Sequence, residues 1–484
     1  MIEGVKEEAD LSQDIQYDDA EVKRILRQVD WRLLPLLSII YLLSFLDRGN
    51  IGNARVAGLE KDLNLTPAQF NLCLTMFFIP YAVFEVPSNI ILKILRPSIY
   101  IPILMVAWGT VMTLSGIVKG YHGLLIVRIF LGFTEAGLFP GATYLLTNWY
   151  CRRELQSRMA FFYSAATLAG AFSGLLAYAI IKMDGVGGLA GWRWIFILEG
   201  IVTVIVACVL PFCLPDSPET ARFLTEENRR FLVQRLSRDS GSTGRVNTNE
   251  AFQWKYVWAA ATDVKVYLTT FILWANPIAG YGLIFTLPTV IHELGYSASN
   301  AQLLTIPVYV FALLCTVVCA ILSDRYRARA PFVIGPYCVA ALGYIALIAL
   351  PHPKYPGATY GMLFPAIAGI YAPVCGSLTW NANNLAGSWK RAIGMAIQLT
   401  FANMSGGIGS NIYLQRQAPR YQLGYGLSLG VILLAILSAL VLRFLCARIN
   451  KQRDGMDLDA IREKYSEAEL MDMGDASPLF RYSL

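Results

Sequence analysis

Residues 128–141 read RIFLGFTEAGLFPG and lie inside an apolar run from about 124 to 146. At 1.5 Å of rise per residue, such a run is long enough to cross a bilayer as a helix. Yet it carries a full positive and a full negative charge, Arg128 and Glu135. Seven positions along a helix amount to about 700° of rotation, so both side chains point to nearly the same side, roughly 10 Å apart along the axis. An ionisable group at bilayer depth costs roughly 2.5–3.5 kcal/mol even on lenient insertion scales. Each therefore needs a partner or an aqueous chamber. A structural ion pair between helices would answer that need; so would a functional site, which is the default reading of charge inside a membrane span.

Composition agrees with a chain made mostly of spans. Of 484 residues, 55% are hydrophobic and only 15% charged, against about 25% charged in soluble globular proteins. The fold class expected is an all-α membrane protein. Nine cysteines fall mostly inside apolar segments without CxxC or CxxH spacing, so neither a zinc site nor a disulfide framework is expected. The three histidines, His122, His292 and His352, fall in loops. With no Ser–His pairing, no metal-ligand cluster and no GxxxxGK[ST] loop, the pattern argues against an enzyme or an ATP-driven pump. No cofactor and no nucleic-acid partner is expected.

Outward from the decisive stretch, apolar windows of spanning length recur at 33–51, 70–93, 98–118, 123–147, 158–181 and 193–214, then at 266–290, 301–322, 331–350, 360–382, 392–412 and 424–446. That makes twelve, in two sets of six. The expected organisation is a tail over 1–30, a six-helix bundle over 31–214, a linker over 215–264, a second bundle over 265–447 and a tail over 448–484. About thirty of the 40 lysines and arginines fall in the tails and in loops after even-numbered spans, and about eight in loops after odd-numbered ones. The positive-inside rule then places both termini in the cytoplasm, most naturally at the plasma membrane. Residues 22–32 are basic and amphipathic, suited to the membrane surface. The linker offers an amphipathic segment, FLVQRL, then the flexible stretch SRDSGSTGRVNTNE. Similar entries to spans five and eleven, each a basic residue followed by small ones, point to an internal repeat.

Polar residues inside the other spans supply further candidates. In span one, FLDRGNIGNARV sets Asp47, Arg48, Asn50 and Asn53 after an apolar run; they either end the span in water or join Arg128 and Glu135 in a cavity. The tripeptide 64–66 matches a glycosylation acceptor, but Thr66-Pro67-Ala68-Gln69 reads better as a capping box opening span two. In span two, Pro80 and Pro87 mark kinks, and Glu85 is a second buried acid or a latch. The loop after span eight, Ser323-Asp324-Arg325-Tyr326-Arg327, suits a latch role for Asp324 and Arg325, or simply topogenic charge. In the second half, Trp274, Tyr281, Asn383, Asn384, Gln398 and Asn403 offer amides and aromatic faces for a small carboxylate ligand. The alternative for these residues is interhelical hydrogen bonding.

Together, LDRGNIGNA, RIFLGFTEAGLFPG, PDSPETARFLT, WNANNLAGSWKRAIGMA and the ending SPLFRYSL resemble the anion:cation symporter family of the major facilitator superfamily. Within it they are most similar to the fungal allantoate permease branch, with its nicotinate, pantothenate and biotin permeases. The resemblance implies twelve helices in two six-helix bundles with a site between them. It implies that Asp47 and Glu135 bind protons, that Arg48 and Arg128 are their cationic partners and one engages the anion, and that Asn383 or Asn384 contacts substrate. Phe45 stands where bacterial galactonate-type members carry a tyrosine, which leans recognition toward a more apolar substrate.

The function expected is proton-coupled uptake of a small organic anion, such as a carboxylate vitamin or ureide, by a monomer in the lipid bilayer. Ionised acids would neutralise the arginines, and protonation would free an arginine for the substrate. A proton-driven exporter using the same groups is the alternative; a non-transporting nutrient receptor is the less favoured one, because the very long cytoplasmic tail that is its usual hallmark is not expected here.

Overall fold

The computed structural model describes residues 17–241, 253–326, 328–351, 354–457, 461, 464–466, 469–470 and 473–484. Residues 1–16 of the expected first tail, 242–250 of the flexible linker stretch, Arg327 and His352 lie outside the described residues.

The described chain is all-helical. Six long helices precede the linker: α1 (Asp19–Val56), α2 (Pro67–Ile94), α3 (Pro97–Ser115), α4 (Tyr121–Trp149), α5 (Arg152–Ile181) and α6 (Gly191–Cys213). Six follow it: α7 (Val264–Glu293), α8 (Ala298–Tyr326), α9 (Ala330–Ala349), α10 (Pro356–Asn384), α11 (Ser388–Gly409) and α12 (Gln422–Asp454). Eleven are long and apolar enough to span a membrane on hydropathy alone. The other, α11, has the length but is diluted by Lys390, Arg391, Gln398 and Asn403. Residues 22–32 do not form a separate surface helix: α1 runs unbroken from Asp19, with no glycine or proline before Pro35.

Local chemistry explains several boundaries. Thr66 and Gln69 form the expected capping box at the start of α2, with Pro67 in the first turn, where a missing N–H costs nothing. Three helices are interrupted where the bundle needs bends: α4 at 136–137, α10 at 372–373, and α7 by a single wide turn over Asn276–Gly280 that begins Asn-Pro. The glycines of α4 serve close packing. A Cβ on Gly132 would run into the Phe77 carbonyl of α2.

Large apolar side chains such as Ile103, Phe130, Phe212, Leu314 and Phe444 are exposed on the outside of the helices, as a lipid-facing surface requires. Tyr17, the linker helix Glu226–Gly241 and the first turn of α5 gather on one face: Tyr17 meets Phe231 edge-on at 4.7 Å, and Arg235 pairs with Glu154. Residues 473–484 fold back onto the same face of the second half. There Lys265 of α7 and Lys390 of α11 grip the buried Asp475 at 2.9 and 2.8 Å. Trp380 of α10 donates to the Ser483 carbonyl at 2.9 Å, and Arg329 N–H donates to the Leu484 carbonyl at 2.8 Å.

The halves meet along α2–α11, α5–α8, α1–α7 and α5–α10. On the face away from the termini the approach is close. Gly52 lies against the Phe285 backbone, Gly170 against the Tyr309 ring, and Asn411 donates to Thr75 at 2.7 Å. On the terminal face the halves touch where Cys375 Sγ lies 4.0 Å from the Met159 carbonyl. At this interface a cavity of about 30 Å³ is lined by Phe45, Asn53, Ala166, Gly170 and Tyr371, large enough to admit water.

Candidate functional site

The centre of the molecule is organised by α1. Ser44 and Arg48, one turn apart, both reach Glu135 of α4: the Ser44 hydroxyl and Arg48 Nε donate to the same oxygen, the latter at 2.7 Å. Arg48 Nη1 continues across the interface to the Tyr281 hydroxyl of α7, also at 2.7 Å. Rings of Tyr81, Phe45 and Phe77 surround its guanidinium, with centroids 4.9, 5.1 and 5.4 Å away. Water is excluded: Arg48 is 7% exposed and Glu135 fully buried.

Arg128 lies beside this pair but outside it. It is 3% exposed, and its Nε and Nη2 have no hydrogen-bond partner. The helix geometry accounts for that, because a rise of roughly 10 Å separates it from Glu135 on the same helix. Arg48 and Arg128 line one small cavity with Phe77, Phe78, Tyr281 and Phe285. A buried guanidinium with open donors, beside a second one held by a carboxylate and walled by aromatic rings, has N–H groups that can donate charge-assisted hydrogen bonds to an anion.

Comparison with known proteins decides the family. Residues 37–410 match the model of the Major Facilitator Superfamily. The chain belongs to that superfamily. It is 39% identical to the "MFS-type transporter cnsO" of Penicillium expansum over 480 residues, covering 97% of this chain and 92% of the relative. It is 31% identical to the "High-affinity nicotinic acid transporter" of Saccharomyces cerevisiae over 465 residues, covering 95% and 84%. Among solved structures, the fold is similar to a bacterial homologue of the human lysosomal transporter Spinster in an inward-facing, unoccupied conformation. That match has a TM-score of 0.64 at 18% identity, covering 86% of this chain and 96% of the other. The chain is a membrane transporter, not an enzyme, and its long helices form the superfamily's twelve-helix architecture.

In this transporter the anticipated site residues divide. Arg48, Arg128, Glu135 and Tyr281 come together at the interface. Asp47 does not join the arginines as anticipated. Adjacent helical residues diverge by 100°, and Asp47 faces α3 and α6, where Trp108 Nε1 donates to it at 2.8 Å and Thr203 at 3.5 Å. Asn50 shares that face and donates to Glu199 of α6 at 2.6 Å. Glu85 of α2 accepts from Asn403 of α11 at 3.1 Å, a bond across the halves.

The second-half amides sit elsewhere. Gln398 is taken up by Asn381 at 2.8 Å and by the Thr269 carbonyl at 3.1 Å. Trp274 donates to the Phe401 carbonyl at 3.2 Å. Asn384 exchanges hydrogen bonds with Ser483 of the folded-back segment, and Asn383 is exposed. This places both asparagines at the terminal face rather than at the arginines. Asp324, in the last turn of α8, pairs with Arg329 just beyond the helix at 2.9 Å, and Arg325 is exposed.

Sequence reasoning missed Glu199 and Ser44. Glu199 carried the same signal as Glu135, an acid inside an apolar span, in GWRWIFILEGIV. Ser44 had no signal, since a lone serine in a span is ordinary.

Proposed function

We propose that this transporter imports a small organic monoanion together with protons, and that Arg128 and Arg48 are the groups that receive the anion's carboxylate. The observation that carries the reading is Arg128: a guanidinium 3% exposed, with two open donors, facing a cavity between the halves. An unpaired buried cation is costly to keep, and an anionic substrate would neutralise it.

Glu135 supplies the coupling. While ionised it holds Arg48 at 2.7 Å; once protonated it no longer competes for that cation, and Arg48 can turn to the substrate beside Arg128. Proton and anion then strengthen each other's binding, and the coupling is reciprocal. Exposing the site to either side requires the halves to rock about it. The seal at Gly52, Gly170 and Asn411 and the thinner contact at Met159–Cys375 are the places where that motion would open each face. The aromatic walls favour an aromatic or apolar carboxylate, in keeping with the relative named for nicotinic acid. The basic terminal face argues for cytoplasmic termini in a plasma-membrane protein, and one chain carries both halves, so it works as a monomer.

The test is uptake of labelled nicotinate and other small carboxylates into cells or vesicles under an imposed pH gradient. Accumulation that follows the gradient and vanishes in Arg128→Ala is the expected result. Carboxylate transport indifferent to the gradient removes proton coupling, and accumulation in the opposite direction makes the protein an exporter.

A further inference from the structure

Residues 473–484 are fastened to the second half chiefly through their main chain. Arg453 of α12 donates to the carbonyls of Asp475 and Phe480 at 2.9 and 2.8 Å. Asn450, one turn before it, donates to the Tyr482 carbonyl at 2.8 Å and accepts from the Tyr482 N–H at 2.9 Å. The Tyr482 ring is buried, and its hydroxyl sits between Lys265 Nζ at 3.0 Å and the Asp475 carboxylate at 3.2 Å. Asp263 meets the two lysines that grip Asp475, at 3.1 and 2.8 Å, and completes the charge cluster. Such a set of paired groups fixes the path of the segment rather than merely covering a surface.

The same segment reaches the part of the protein that closes the terminal face. Pro373 has no N–H for the Gly369 carbonyl, so α10 is interrupted there, and its last three turns, Pro373–Asn384, form a separate rod. Just past the break, Cys375 makes the contact with Met159 of α5 where the halves touch. At the far end Trp380 Nε1 and the Asn384 amide donate to the Ser483 carbonyl at 2.9 and 3.2 Å, and Asn384 accepts from the Ser483 N–H at 2.7 Å. Trp380 and Asn384 are 0 and 2% exposed, so these bonds are costly to leave unmade. Asn381 adds a tie to Gln398 of α11 at 2.8 Å. A rod interrupted at one end is steered by whatever holds the other.

We infer that residues 473–484 are a strap on the rod Pro373–Asn384: docked, they keep Cys375 against Met159 and favour the form closed at the terminal face; undocked, they let the rod swing and that face open. The inference rests on the alternating opening of the transport reading above, and not on its substrate or its protons.

Cys375, 3% exposed, is itself the reporter. The full-length protein in lipid nanodiscs is treated with a water-soluble maleimide, which reaches both faces, and labelled cysteines are identified by mass spectrometry. Tyr482→Ala and deletion of residues 473–484 each release the strap, so misfolding of one variant does not decide the outcome. Cys375 should be labelled at least about tenfold faster in both, the size of three lost hydrogen bonds. Hydrogen exchange over 337–347 of α9, in the core of the second half, should stay slow. Unchanged Cys375 labelling in the deletion overturns the inference. So does fast exchange over 337–347 in both variants, because the segment would then support the whole bundle rather than one rod. Ala166→Cys, in the interface cavity, separates the strap from the transport reading. If it is labelled while Cys375 ignores the strap, only the strap fails; if neither is ever labelled, the halves do not open and the transport reading falls as well.

Discussion

Arg48 of the first half donates to the Tyr281 hydroxyl of the second at 2.7 Å, so the cation that holds Glu135 also ties the two halves together. Opening the site must break this bond. Tyr281→Phe keeps the ring stacked on Phe285 and removes only the hydroxyl. A hydrogen bond to a charged group is worth about 1.5 kcal/mol, or roughly tenfold in the population of the open form. A cysteine placed at Ala166, buried in the interface cavity, should then react with a water-soluble thiol reagent roughly ten times faster in the Tyr281→Phe background. An unchanged rate would mean the bond does not hold the closed form.

Arg128 separates function from stability. Its Nε and Nη2 satisfy nothing, so Arg128→Ala removes a buried charge without orphaning a partner. Thermal unfolding should be unchanged or shifted upward, while carboxylate uptake falls more than about a hundredfold, the loss expected from a buried charge-assisted contact of about 3 kcal/mol. Arg128→Lys keeps the charge and loses the planar fork, and should fall between the two. A parallel loss of stability and uptake in Arg128→Ala would reduce the residue to a structural role.

Arg48 and Glu135 should behave in the opposite way. Arg48→Ala leaves Glu135 buried without its cation and should cost about 3–5 kcal/mol of stability. Adding Glu135→Gln should restore most of that, because the uncompensated charge is gone. Thermal unfolding of the single and double variants forms the cycle, and additive losses would show that the two groups are not coupled.

Residues 473–484 should act as a pH-sensitive clasp. Burial alone would raise the Asp475 carboxyl, but Lys265 and Lys390 outweigh it and hold the group below the usual carboxylate range. For a carboxyl whose folded value is depressed, the stabilisation is complete above the unfolded value near 4 and is lost as pH falls through the folded one. The protection of residues 473–484 against hydrogen exchange, taken relative to the intrinsic amide rate at each pH, should therefore stay high at neutral pH and fall below about pH 4. Asp475→Ala, which removes the segment's link to both lysines and leaves them with Asp263, should release the segment already at neutral pH. Equal protection in Asp475→Ala and wild type would rule out the clasp.

Much of the architecture could be read from local chemistry, because the bilayer imposes length and polarity on every span. Twelve apolar windows, a charged linker and the capping box at Thr66 depend on nearby residues alone. The charges of 128–141 could likewise be recognised as exceptional, since nothing local explains an arginine and a glutamate in a lipid-spanning helix.

Partnership was a different matter. The sequence by itself determined that Arg128 and Glu135 lie inside a membrane span, and left Asp47 and Arg48 open between the watery end of a span and the same cavity. Only the tertiary structure decided that Glu135 belongs to Arg48, that Arg128 stands open, and that Asp47 turns away to Trp108 and Thr203. It likewise decided that Asn384 serves a folded-back segment rather than the cavity. The reason is geometric. A helix turns 100° per residue, so small changes in its rotation and depth reassign every polar contact, and those are set by packing between helices hundreds of residues apart.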